Sequence, residues 1–404
     1  MNKWREVKLG DIADIGTGKT NRQDETKNGL YPLFDRSSVI KRSDKYLFDC
    51  KAVIIPGEGK EFLPRYFSGK FDLHQRAYRI TSKSENSAQT KFLYYYLNQH
   101  RSYWERVAVG TTVKSLRLHS FVDFPVKLPP IEEQKAIVRV LGILDDKIEL
   151  NQQMNETLES MAQAIFQDWF IDFGPTRRKM QGATDPDVIL GGLFASDNLG
   201  YPSEKIIRIA DLFSDTLVSN GLPKGSKKSN FGDLITPKRG KTITKKQVIS
   251  GEIPVIAGGR GPAYYHNVYN VCGPVVTISS SGANAGFVRL YNENIWASDC
   301  SFINRKQTDY LYLTYVFLKY QQDEIYRNQQ GAVQPHVYPS DLERLKIVNL
   351  PLDVWKECEN LINPLFMCIS ENQFQSQLLA KIRNLLLPRL ISGEVRLKNN
   401  KNLT

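Results

Sequence analysis

The chain has 404 residues, a length that suggests two or three domains with ample apolar material for cores. Lys and Arg number 54 against 43 Asp and Glu, and the surplus of +11 makes a polyanion a candidate partner without proving one. No apolar run reaches the ~18 residues of a membrane span, and MNKWREVKLG lacks the apolar region of a signal peptide. Cys50, Cys272, Cys300, Cys358 and Cys368 form no CxxC and are odd in number, so they read as reduced thiols of a cytoplasmic protein. The His residues lack metal-ligand spacing, so no metal site is expected.

Residues 1–128 read as a mixed α/β globule. AVIIP (52–56) and AYRIT (77–81) carry strand chemistry, and KFLYYYLNQHRSYWERV (91–107) has helical periodicity. Residues 129–173 are helical and hold a heptad seam of Ile137, Leu141, Leu144, Ile148, Asn151, Asn155, Leu158, Ala162, Ile165 and Trp169. Gly142 is a weak point, so the pattern predicts a short helix over 131–141 and a long one over 143–172, a rod of roughly 45 Å. Phe166, Trp169, Phe170 and Phe173 make the end of that helix apolar over more than one face. They suit contact with a partner subunit or packing on a globule of the same chain. Residues 174–220 mix Gly, Pro, Asp and Ser and read as an exposed linker and lead-in segment.

Residues 221–350 then repeat the first globule. Gly10 and Gly232, Gly18 and Gly240, Gly29 and Gly251, and Pro32 and Pro254 all stand 222 positions apart. PVVTIS (274–279) and GFVRLY (286–291) supply the strands, and LYLTYVFLKYQQDEIYR (311–327) the helix. Residues 351–404 carry a second seam of Cys358, Ile362, Leu365, Ile369, Asn372, Ser376, Leu379, Arg383, Leu386 and Leu390. Its polar interruption falls where the first seam has Asn151 and Asn155, although two unrelated amphipathic helices remain the alternative. Asn363-Pro364 predicts a fresh helix start. The expected fold is therefore α+β: two related mixed α/β globules separated by an antiparallel coiled coil of two long helices, with pseudo-twofold symmetry.

Gly16-Thr17-Gly18-Lys19-Thr20 imitates the end of a phosphate loop. The first glycine of GxxxxGK[ST] is Ala13 here, Ile235 stands there in the second copy, and no helix is predicted after Thr20. These stretches read better as basic loops, with Lys19, Thr20 and Arg22 matched by Lys238, Arg239, Lys241 and Thr242. A solvated turn is the competing reading. Further loop positions carry side chains able to meet base edges or phosphates. In the first copy these are Arg36, Ser37, Lys60, Arg65, Gln75, Arg76, Lys114 and Arg117. In the second they are Arg260, Ser280, Ser281, Asn284, Asp299, Gln334 and His336. The framework repeats while these loops differ, as two readers of different sequences would require. No G-x-S-x-G, HExxH, paired-carboxylate, methyltransferase or dinucleotide-binding motif appears, and Asp145-Asp146 reads as a solvated helix face.

Leu128-Pro129-Pro130-Ile131-Glu132-Glu133-Gln134 opens the first helical region and Asp168-Trp169-Phe170-Ile171-Asp172-Phe173 closes it. With the alternation of globule and helix, this resembles the specificity subunit of Type I restriction–modification enzymes along essentially the whole chain. The second copy departs at both places, with Leu350-Pro351-Leu352-Asp353 and Leu387-Pro388-Arg389-Leu390. The resemblance implies two target recognition domains, each reading half of a split double-stranded DNA site, and a helical ruler between them. It implies no catalysis in this chain. Two methyltransferase subunits using S-adenosylmethionine, and restriction and motor subunits using ATP and Mg2+, are the expected partners. A stand-alone bipartite DNA-binding regulator or architectural protein is the alternative.

Overall fold

Each copy of the repeat is closed by a two-stranded clasp that joins its first strand to its last. Arg5–Lys8 pairs antiparallel with Pro125–Leu128, and Lys227–Asn230 pairs antiparallel with Lys346–Asn349. The computed structural model describes residues 4–59, 61–194, 202–331 and 334–397, with the side chain of Arg22 outside that set. Contacts divide the chain into two compact units, Met1–Leu150 with Gln375–Thr404, and Asn151–Phe374.

The first unit is built on a six-stranded sheet. Its order is Ala13–Thr17, Ala77–Ser82, Phe48–Pro56, Arg65–Leu73, Tyr31–Phe34 and Lys41–Ser43. Pairing is antiparallel except where Tyr31–Phe34 runs beside Arg65–Leu73. The apolar run at 52–55 follows from burial of both sheet faces. Val53 and Ile55 pack with Phe92, Leu93 and Leu97 of the helix Thr90–Gln99, while Ala52 and Ile54 pack with Phe34, Phe71 and Leu73. The expected single helix over 91–107 breaks at His100 into Thr90–Gln99 and Arg101–Val107. The bend turns Trp104 into the core, where its indole N–H donates to the Leu97 carbonyl at 3.1 Å.

The second unit divides the equivalent strands between two sheets. One orders Lys238–Arg239, Cys300–Asn304, Val275–Ser279 and Val288–Tyr291. The other orders Pro262–His266, Ile253–Ile256 and Trp296–Ala297. Leu311–Tyr320 is the buried helix behind them, and here too the chain turns, at Gln321, before Gln322–Arg327.

Two long helices run through the chain, Ile131–Phe166 and Leu352–Ser392. Neither breaks where the sequence suggested. Gly142 is buried inside the first, a position whose lack of a side chain suits its contact with Lys91. Pro364 lies inside the second. An interior proline costs about 3 kcal/mol, and burial of Leu361, Ile362, Phe366 and Ile369 around it offsets that cost.

Within the first unit the helical segments run antiparallel, because Glu133 binds Arg396 at 2.7 and 2.8 Å while Asp145 binds Arg383 at 2.7 Å. Asp145 also accepts from the Tyr95 hydroxyl at 2.7 Å, so it is a paired seam group rather than a solvated one. Burial, then that hydrogen bond, holds the Tyr95 phenol protonated far above its ordinary range. Within the second unit the order is again antiparallel. Asn372 donates to Asn155 at 2.9 Å and its carbonyl accepts from Asn151 at 3.3 Å, while Phe170 meets Trp355 at 5.3 Å. Leu141, Leu144, Ile148, Asn151, Leu158 and Ile165 on one helix are buried or half-buried. So are Ile362, Leu365, Ile369, Asn372, Leu379 and Leu386 on the other.

Over its described residues up to Phe213, the segment after the first helix is not an exposed linker. It forms the helices Gly174–Met180, Pro186–Ile189 and Ser203–Asp211, and Ile189, Leu190, Ile209, Ala210 and Phe213 join the second unit's core. The cause is the apolar end of the helix before it, which needs a cover. Trp169 meets Phe213 edge-on at 5.0 Å, Phe166 stacks on Phe170 at 5.3 Å, and Phe173 is buried beside them. Phe166, Trp169, Phe170 and Phe173 are therefore core side chains of this chain. The face assigned to a partner subunit is covered by residues of the same unit.

Candidate nucleic-acid interface

The glycine of each GKT loop marks a close backbone approach. A Cβ at Gly18 would fall on the Leu73 carbonyl, and one at Gly240 on the Ser298 carbonyl. In the first unit the loop is pinned further by Thr20. Its amide donates to the Leu73 carbonyl at 3.2 Å and its hydroxyl to the buried Asp72 carboxylate at 2.6 Å. Asp72 also accepts from the Ser43 hydroxyl at 2.8 Å and the Leu73 amide at 2.9 Å. Thr20 is only 4% exposed, so the DNA contact expected of it is corrected to an anchoring role.

That anchor sets Asn21 beside His74 and Gln75, whose amide donates to the Thr20 carbonyl at 3.0 Å. Asn21, Gln23, Arg36, His74, Gln75 and Arg76 line one polar hollow. Glu58 closes the cluster. It binds Arg76 at 2.7 Å and Arg36 at 3.3 Å, and its strand Glu58–Gly59 pairs with Lys114–Ser115. The His74 Nδ1 accepts the Arg76 backbone N–H at 3.0 Å. Burial lowers the His74 pKa, and Arg36, Arg76 and Lys41 push the same way against the opposing pull of Asp35. Arg65 is half-buried and donates to the Ser37 carbonyl at 2.6 Å, shaping the loop that carries Arg36. Lys19, Gln75, Lys114 and Arg117 are exposed, and Ser37 is half-buried. Lys60 and the Arg22 side chain lie outside the described residues.

The second unit gathers a different set. Arg239 reaches Asp299 at 3.2 Å, and Asp299 accepts from the Ser281 hydroxyl. Arg260 donates to Asn284 at 3.1 Å. The Gly282 amide donates to the Pro335 carbonyl at 3.0 Å, which brings the loop of Gln334 and His336 alongside. His336 stacks near Tyr338, over which the Arg239 guanidinium lies at 5.8 Å. Lys241 and Thr242 border a separate hollow with His266 and Trp296, whose indole N–H donates to the Lys241 carbonyl at 2.8 Å. Lys238, Lys241 and Thr242 are exposed. Ser280 is buried behind this face, so it cannot serve as the DNA contact expected of it.

Glu58, Asn21, Gln23, Trp296 and Tyr338 escaped the reading of the sequence. A lone Glu or Tyr in a loop carries no spacing signal, and only the fold brings each beside an arginine or lysine loop. The first unit thus presents two arginines held by Glu58, and the second presents Arg239 held by Asp299 and Arg260 held by Asn284, with amides and hydroxyls beside them. This donor and acceptor set suits base edges, and its exposed lysines suit phosphates.

Among the described residues no helix is long and apolar enough to cross a membrane. The family model described as Type I restriction modification DNA specificity domain matches residues 1–160 and 223–353. The chain is 25% identical to the Type I restriction enzyme MjaIX specificity subunit of Methanocaldococcus jannaschii, over 98% of this chain and 94% of that one. It is 23% identical to the HindI specificity subunit of Haemophilus influenzae, over 98% and 100%. Its fold matches the crystal structure of a Type I restriction–modification S subunit from M. genitalium with TM-score 0.56 and 16% identity, covering 96% of each chain. With two loop faces of this chemistry and a family match across both copies, the chain belongs to the Type I restriction–modification DNA specificity family, and its function is sequence-specific DNA recognition.

Proposed function

We propose that the chain reads a split DNA site, one half through the loop face of each unit, and that the two long helices fix the distance between the halves. In this reading 1–128 and 221–350 are the target recognition domains, 129–173 and 351–404 the helical regions, and 174–220 the stretch between. The antiparallel helices form a coiled coil on a pseudo-twofold axis. At ~1.5 Å per residue each helix is long enough to bridge one DNA turn of ~34–36 Å.

The observation that carries the proposal is repetition of the anchors without repetition of the faces. Gly18 and Gly240 make the same backbone approach, and each unit closes on the same clasp. Yet one face holds Arg36, Glu58 and Arg76, and the other Arg239, Arg260 and Asp299. One scaffold carrying two side-chain sets is what two half-sites of different sequence require. Catalysis lies elsewhere in this reading: two methyltransferase subunits bring S-adenosylmethionine, and restriction subunits bring ATP and Mg2+.

The test is to express the chain with its methyltransferase partner in a methylation-free host and sequence the methylated sites. Two short motifs at a fixed unspecified spacing are expected. Exchanging 221–350 for the same stretch of a relative should change one motif only. A contiguous motif, or a change in both halves, refutes the reading.

A further inference from the structure

The acid at the centre of the first unit's basic face is placed with the opposite exposure to its partners. The Glu58 side chain is 19% exposed, while Arg36 and Arg76 stand at 51% and 52%. Glu58 takes Nη1 of Arg76 on both oxygens, at 2.9 and 2.7 Å, and Nη1 of Arg36 at 3.3 Å. The carboxylate is thus the inner member, and two guanidinium groups are tethered outside it.

That order has an electrostatic consequence. An untethered arginine on a DNA-facing surface neutralises a phosphate of any sequence, which adds affinity but no discrimination. A guanidinium already sharing a carboxylate gains less from a phosphate, because the phosphate must also approach the carboxylate. Base edges carry no formal charge and pay no such penalty. Each arginine has five N–H donors, and Glu58 engages only Nη1 of each, so donors remain for guanine O6 and N7. Cytosine N4 can in turn donate to the carboxylate.

We propose that Glu58 is a specificity-determining residue that withholds Arg36 and Arg76 from phosphates and so reserves them for base edges. The inference rests on the reading that this face meets DNA. The role is one of positioning, since Glu58 acts through the arginines it holds.

The full chain, assembled with its methyltransferase partner, is titrated with two duplexes, one carrying its recognition sequence and one lacking it, from about 50 to 200 mM salt. Glu58→Gln should raise affinity for the duplex lacking the sequence several-fold. It should also steepen the slope of log affinity against log salt by ~0.9 for each arginine released. The ratio of specific to non-specific affinity should fall about tenfold. Adding Arg36→Gln and Arg76→Gln to that variant should bring the non-specific slope back to the wild-type value or below. Glu58→Asp, which keeps the charge on a shorter stem, should fall between wild type and Glu58→Gln. If wild type discriminates and Glu58→Gln leaves non-specific affinity and slope unchanged, the inference fails alone. Loss of affinity for both duplexes marks Glu58 as merely structural and also overturns it. If wild type does not discriminate, the DNA-facing reading fails first and the inference with it.

Discussion

Thr20→Val separates an anchor from a contact. Valine keeps the shape of threonine and removes only the hydroxyl that donates to Asp72 at 2.6 Å. A hydrogen bond to a charged group contributes about 1.5–3 kcal/mol. Asp72 keeps its bonds from Ser43 and Leu73, so the carboxylate is not stranded and the cost should sit near the lower end. At roughly 2–4 °C per kcal/mol for a unit of this size, the melting transition should fall by about 3–8 °C. Calorimetry of the intact chain measures it. DNA affinity, measured well below that transition, should stay within a few-fold, because the hydroxyl faces the core. An unchanged transition with a DNA affinity lowered tenfold or more would refute the anchoring role and restore Thr20 as a contact. Asp72→Ala should cost more than Thr20→Val, since it strands both the Thr20 and Ser43 hydroxyls.

Trp169→Ala should destabilise the second unit by about 3–5 kcal/mol in urea titration, since it empties a site packed on Phe213. A loss below about 1 kcal/mol would mean that Phe213 and the helices before it are not the cover described. Seven residues added to each long helix in register lengthen each by ~10.5 Å and keep the heptad phase, so the preferred spacer should grow by about 3 base pairs. Sequencing of methylated sites reads the spacer, and an unchanged one removes the ruler. His74 gives a pH prediction of defined sign. Its folded pKa lies below the ordinary 6.5, so on acidification the unfolded chain takes the proton first. Its contribution is full above that value and lost as pH falls through the folded one. The stability difference between wild type and His74→Gln should shrink from pH 7.5 to pH 5, and a growing difference would contradict the burial.

Periodicity is legible in a sequence because it is set by helix geometry alone. A 3.5-residue repeat needs a partner, and Leu141, Ile362 and Ile369 are buried without any need to know the rest of the fold. The duplication was legible for the same reason, as a constant offset between glycines and prolines. What stayed hidden depends on tertiary partners. Pro364 and Gly142 look like helix breaks locally, and only the packing around them carries the helices through. The Phe166 to Phe173 cluster reads in sequence as either a surface for another protein or packing within the chain, because its cover, in the described residues between Gly174 and Phe213, shows no amphipathic period beyond Ser203–Asp211. Glu58 is silent in sequence, since nothing in PGEG announces two arginines drawn from loops before and after it.

The GKT stretches show how one local pattern divides between scaffold and surface. Glycine is required by the backbone that crosses it, at Leu73 in one unit and at Ser298 in the other. The position after the lysine then diverges. Thr20 turns inward to Asp72, whereas Thr242 is exposed and its loop is held by Trp296 donating to Lys241 and by Ser298 accepting from Ile243 at 3.1 Å. The lysine is exposed in both. A phosphate loop needs its glycines for the ligand and its threonine for a metal. Here the glycine serves the fold, and in the first unit the threonine serves an internal carboxylate. What is left at the surface is a lysine on a rigid stem. If these lysines meet phosphates, as the proposed reading has it, a cation whose backbone is pinned to the sheet would fix register on them while the neighbouring loops are free to differ.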